Sequence, residues 1–103
     1  MAGVLAFGNS NSTIEAGTSP LRINTSTTTV VKGGPGILVS VIVNTKGTVA
    51  STVTIYDNTA ASGTIVAVID SLNNVGTFTF NCLMAIGITV VTTGAPDITV
   101  CYR

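Results

Sequence analysis

Apolar residues recur along most of the chain with a period of two, interrupted at short intervals by glycine, proline and asparagine. Successive side chains of an extended strand point to opposite faces, so this alternation marks strands with one buried face. On that basis strands are predicted over 22–32, 36–44, 48–57, 63–70, 75–83, 86–93 and 97–103. The intervening Gly33-Gly34-Pro35, Thr45-Lys46-Gly47, Asn58-Thr59-Ala60-Ala61-Ser62, Ser71-Leu72-Asn73-Asn74 and Thr93-Gly94-Ala95-Pro96 supply positive or preset φ for reversals. About seven short strands with no stretch of helical period predict an all-β chain, a single antiparallel β-sandwich of jelly-roll or Ig-like type.

Two runs depart from the alternation. In Ile37-Leu38-Val39-Ser40-Val41-Ile42-Val43, the odd positions form one apolar face, and Leu38 and Ile42 make the other face largely apolar. Gly63-Thr64-Ile65-Val66-Ala67-Val68-Ile69-Asp70 is likewise apolar on both parities. Strands of this kind ask for cover on both sides, which makes Leu38, Ile42, Val66 and Val68 candidates for a contact between subunits. Residues 1–20 read differently, as an N-terminal arm ahead of a sandwich domain at 21–103. The arm is loop-like apart from Val4, Leu5 and Phe7, which are poorly suited to a solvated tail and are further candidates for docking on a neighbour.

Composition strengthens the expectation of a fixed assembly. Only 8% of the 103 residues are charged and the formal net charge is zero, while the apolar share, 46%, is ordinary. A neutral β-branched chain lacks the charge repulsion that ordinarily keeps strand edges apart. Building its surfaces into a homodimer or homotrimer removes that hazard. Four Lys/Arg spread along the chain offer no basic patch, so nucleic acid is not an expected partner. No run approaches the roughly 20 apolar residues needed to span a bilayer, so no membrane association is expected. The opening Met1-Ala2-Gly3-Val4-Leu5-Ala6-Phe7-Gly8 lacks a positive segment and is short for a secretion signal, which points to synthesis in the cytoplasm.

Candidate chemistry is sparse. The chain has no histidine and no Cys-x-x-Cys pair, so neither the commonest general base nor a zinc framework is present. Asp57, Asp70 and Asp97 each fall where a strand meets a turn, a position at which aspartate hydrogen-bonds turn amides; an acid pair or a calcium site built from them is the less economical reading. Lys32-Gly33-Gly34-Pro35-Gly36 is glycine-rich, but no helix follows to hold a phosphate. Phe78 and Phe80 read as core, and Tyr56 and Tyr102 as strand-end residues. Cys82 shares the parity of Phe78 and Phe80, whereas Cys101 is out of phase with Ile98 and Val100, so free thiols are expected. No catalysis, cofactor or metal is expected.

A family resemblance enters with particular stretches. Thr27-Thr28-Thr29-Val30-Val31-Lys32-Gly33, the following Gly36–Asn44 run, Val53-Thr54-Ile55-Tyr56-Asp57-Asn58, Gly63-Thr64-Ile65-Val66-Ala67 and Gly94-Ala95-Pro96-Asp97-Ile98-Thr99-Val100-Cys101-Tyr102 resemble small tailed-bacteriophage virion proteins. The resemblance spans roughly residues 25–102 and is carried by turns and strands, leaving the N-terminal residues outside it. It implies a capsid decoration or cement protein on the virion surface, a homo-oligomer seated on the major capsid protein. Tail, neck or fibre proteins and a carbohydrate-binding sandwich module are the alternatives.

Overall fold

Strands form where the β-branched runs lie, eight of them among the described residues. The computed structural model describes residues 18–103. Its strands are β1 (Ser19–Ile23), β2 (Thr28–Lys32), β3 (Gly36–Thr45), β4 (Thr52–Asp57), β5 (Thr64–Asp70), β6 (Gly76–Met84), β7 (Ile88–Thr93) and β8 (Asp97–Tyr102). They make two antiparallel four-stranded sheets, ordered β1-β8-β3-β6 and β2-β7-β4-β5. The pairing is nested: β1 with β8, β2 with β7, β3 with β6 and β4 with β5. The further pairs β3–β8 and β4–β7 join these ribbons into the two sheets. Apart from the β4–β5 hairpin, every connection therefore passes from one sheet to the other.

The sheets share one apolar core. Leu38, Val41, Val43, Met84, Ile98 and Val100 come from one sheet and Val53, Ile55, Ile69, Ile88 and Val90 from the other, in a single cluster. Burial of each such side chain contributes about 1.5–3 kcal/mol, so the inner faces supply most of the cohesion. On β6 the expected alternation holds, with Phe78, Phe80 and Cys82 packed against the core and the residues between them exposed.

The expected strand 22–32 is two strands. Asn24, Thr25, Ser26 and Thr27 carry the chain from one sheet to the other. Thr92, buried on β7, holds this crossing: its Oγ1 donates to the Thr25 carbonyl and accepts from the Thr27 N–H at 3.0 Å. The domain also begins earlier than Leu21, because β1 includes Ser19 and Pro20. Pro20 sits on an edge strand, opposite Cys101, where one row of backbone positions needs no N–H. At the expected strand 48–57, Val49 and Ala50 take positive φ and the strand starts only at Thr52. Residues 1–17 of the expected arm, with Val4, Leu5 and Phe7, lie outside the described residues.

The two doubly apolar runs each contain a bulge. Against β8, β3 takes two steps, Leu38 to Ser40, where its partner takes one, Tyr102 to Cys101. The extra residue changes the phase of the strand. Leu38, Val41 and Val43 thereby reach the same core, and Ile42 turns outward between Thr99 and Thr77. Leu38 is 0% exposed. The expectation that Ile37, Val39, Val41 and Val43 share a face is corrected accordingly, and Leu38 is core, with no surface left for a subunit contact. On β5 the bulge falls at Val66, between Ala67 opposite Ile55 and Ile65 opposite Tyr56. Val66 and Ala67 pack on the core, while Ile65 and Val68 face outward.

Candidate interaction surface

The outer face of the β2-β7-β4-β5 sheet ends in a row of Thr93, Thr52 and the charged Asp70, and beside it lie two longer cross-strand rows. One runs Val30, Thr89, Tyr56, Ile65 and the next runs Thr28, Val91, Thr54, Val68. Neither row contains a charged residue, and β-branched side chains suit the pleat on both faces. Val30, Ile65 and Val68 are about half exposed or more, with Val68 at 60%.

The outer face of the other sheet is polar by comparison. Arg22 of β1 clasps Asp97 of β8 with both Nε and Nη2, the Nε–Oδ1 distance being 2.9 Å. Asn44 Nδ2 donates to Thr99 Oγ1 at 3.1 Å alongside. At 63% exposure of Arg22 the stabilising effect of this ion pair is small.

Of the residues proposed from the sequence, Val68 stands on the outer face of β5 and Ile42 on the opposite sheet. Val66 is tied to the core by its bulge and Leu38 is inside. The four therefore do not form one surface. Exposed large apolar residues concentrate elsewhere: Ile65 and Val68 on β5, Val75 in the β5–β6 connection, Leu83 on β6 and Ile86 just beyond it. These are five of the seven such residues in the described chain. Leu83, 77% exposed, carried a signal in its parity, opposite to that of Phe78, Phe80 and Cys82.

The three aspartates are committed to structure. Asp57, at the end of β4, accepts the N–H groups of Ala85, Ile86 and Gly87 at 3.1, 2.9 and 3.3 Å. The Ile86 amide is the chief cause of a pKa held below the ordinary aspartate value. Asp70 closes the β5–β6 turn by accepting from the Asn73 side chain at 2.9 Å and from the Leu72 and Asn73 amides. The Asn73 side chain leads in lowering its pKa. Asp97 departs from the expected pattern, since its partners are the Arg22 and Asn44 side chains, with the Arg22 hydrogen bond the main cause of its lowered pKa. Register places Asp57 and Asp70 at opposite ends of the β4–β5 hairpin and Asp97 in the other sheet, so the three do not converge.

Tyr56 belongs to the β2-β7-β4-β5 sheet, and Tyr102 packs on the core from the other, so no shared aromatic platform exists between them. Cys82 and Cys101 are free thiols on opposite faces of their sheet, as their parity implies. Among the described residues there is no cavity, no cluster of three or more potential metal ligands, and no helix long and apolar enough to cross a membrane. Comparison of the chain with protein-family models, curated proteins and solved structures finds no match.

Proposed function

We propose that the chain is a structural virion protein of a tailed phage, a capsid decoration or cement protein folded as a jelly-roll sandwich. The observation that carries this reading is the nested strand order, first with last and inward to the β4–β5 hairpin. Rolling a four-tiered hairpin of this kind produces the jelly roll, an architecture used by viral capsid domains. An Ig-like sandwich distributes seven strands in a different order. The step from architecture to role is an analogy of fold. A second support comes from the chain's own surface, which keeps a partly apolar sheet face with a single charged residue, Asp70, at its end, and carries only four acidic and four basic side chains.

In this role the protein associates with itself and sits on the major capsid protein at the virion surface, after synthesis in the host cytoplasm. Each copy bound to the closed shell favours that state by mass action, so cementing needs no chemistry in the subunit. Mass spectrometry of purified particles tests the reading. The chain is expected there in fixed proportion to the major capsid protein; particles that lack it overturn the proposal. Immunolabelling at the tail or neck in place of the shell would move the role to those parts of the virion.

A further inference from the structure

The two long flanks of the molecule differ. On one side the edge strands are β1 and β2. Both are short and both carry devices that discourage edge pairing: Pro20 and Arg22 on β1, a bulge and Lys32 on β2. That side is also closed by the 24–27 crossing held by Thr92, and Ile23 behind it is buried.

The opposite side is edged by β5 and β6. β6 runs for nine residues without a charged side chain, and β5 has only Asp70, at its end. Between the two edges the sheets stay open: Phe78 and Phe80 pack on the core yet remain partly exposed. Ile65 and Val68 flank this mouth on one sheet and Leu83 on the other. The apolar exposure thus wraps around one flank from the outer face of β5 to the outer face of β6.

We propose that the β5–β6 flank is the surface through which two copies of this chain associate about a two-fold axis. The inference rests on the self-association in the preceding reading and assigns it a place. Charge selects the occupant. A charged partner would have to desolvate its charges against a surface with nothing to pair them. A second copy brings to it a flank whose one charged strand residue, Asp70, stands at the end of β5. With β5 antiparallel to its mate, the two Asp70 side chains fall at opposite ends of the contact and do not oppose each other. Isologous contacts require such self-complementarity. The exposed aliphatic side chains beside the partly exposed Phe78 and Phe80, around a charge-poor centre, have the composition of an interface core.

The test uses the full chain and sedimentation velocity over a concentration series, with hydrogen exchange as a second readout. The native chain is expected to dimerise, and the flank amides, those of β5 and β6 that point away from β4 and β3, to exchange more slowly as concentration rises, with the amides of β1 and β2 unchanged. Val68→Lys and Leu83→Lys place a charge in the contact and are expected to weaken association by about 100-fold or more with an unchanged circular dichroism spectrum. Val30→Lys, on β2, is expected to leave it intact. An oligomer broken by Val30→Lys and indifferent to the two flank variants overturns the assignment of the flank while leaving self-association standing. A monomer whose flank amides are already slow means that residues 1–17 or another part of the same chain cover the flank, and overturns the second copy. A monomer with fast flank amides at every concentration overturns both the flank and the self-association on which it rests.

Discussion

Asp57 joins two parts of the chain that are far apart in sequence, because its carboxylate gathers three consecutive amides of the β6–β7 turn. Asp57→Ala leaves those donors to water, and the expected outcome is a lower thermal midpoint with faster amide exchange at Ala85, Ile86 and Gly87. Unchanged exchange there would contradict the latch. Asp57, Asp70 and Asp97 all have lowered pKa values in the folded chain. The unfolded chain therefore binds more protons as the pH drops through the ordinary aspartate value of about 4. Their stabilisation is fully present above that value and is lost as pH falls through the lower folded values, so denaturant midpoints should decline only in the acid range. Gly94 illustrates a backbone requirement: φ is +74° and a Cβ would strike the Thr48 carbonyl. Gly94→Ala is expected to cost more than about 1 kcal/mol in chemical denaturation. Gly34→Ala, with open space around it, should stay within about 0.5 kcal/mol.

At the scale of elements, the bulges decide what the apolar runs mean. Leu38→Ala removes a fully buried side chain and is expected to cost about 2–5 kcal/mol, whereas Ile42→Ala on the outer face should cost much less. Equal costs, read from urea denaturation, would contradict the phase change at Val39. Most strand positions were legible in the sequence because turn residues and period-two alternation are local signals. The phase change was not, since the extra residue in β3 is defined only against β8, paired from far along the chain. The matching irregularity against β6 did leave a trace: Asn81, among the few residue types that tolerate positive φ, sits there at +51° within a strand. The break between β1 and β2 was also readable from Asn24 and Ser26, but the surrounding Thr and Val outweighed them in a propensity reading. Apart from Leu83, whose parity sets it outside the core, which surface residues gather was not readable. Leu38, Ile42, Val66 and Val68 share a pattern in sequence and part company in space, because each bulge reassigns faces locally.

Across the whole molecule, the nested strand order places β1 and β2 along one flank and β5 and β6 along the other. Pairing partners chosen across 75 residues, as between Arg22 and Asp97, are invisible to local pattern and fix which edges end up exposed. The low charge of the chain becomes intelligible at this scale, as the composition of a surface meant to be covered. On the proposed reading, a protein that binds its own copies and a shell needs complementary faces more than a cleft. Static light scattering of the full chain as a function of concentration tests that claim most directly: the mass is expected to rise to twice that of a single chain, and a single-chain mass at every concentration would contradict it.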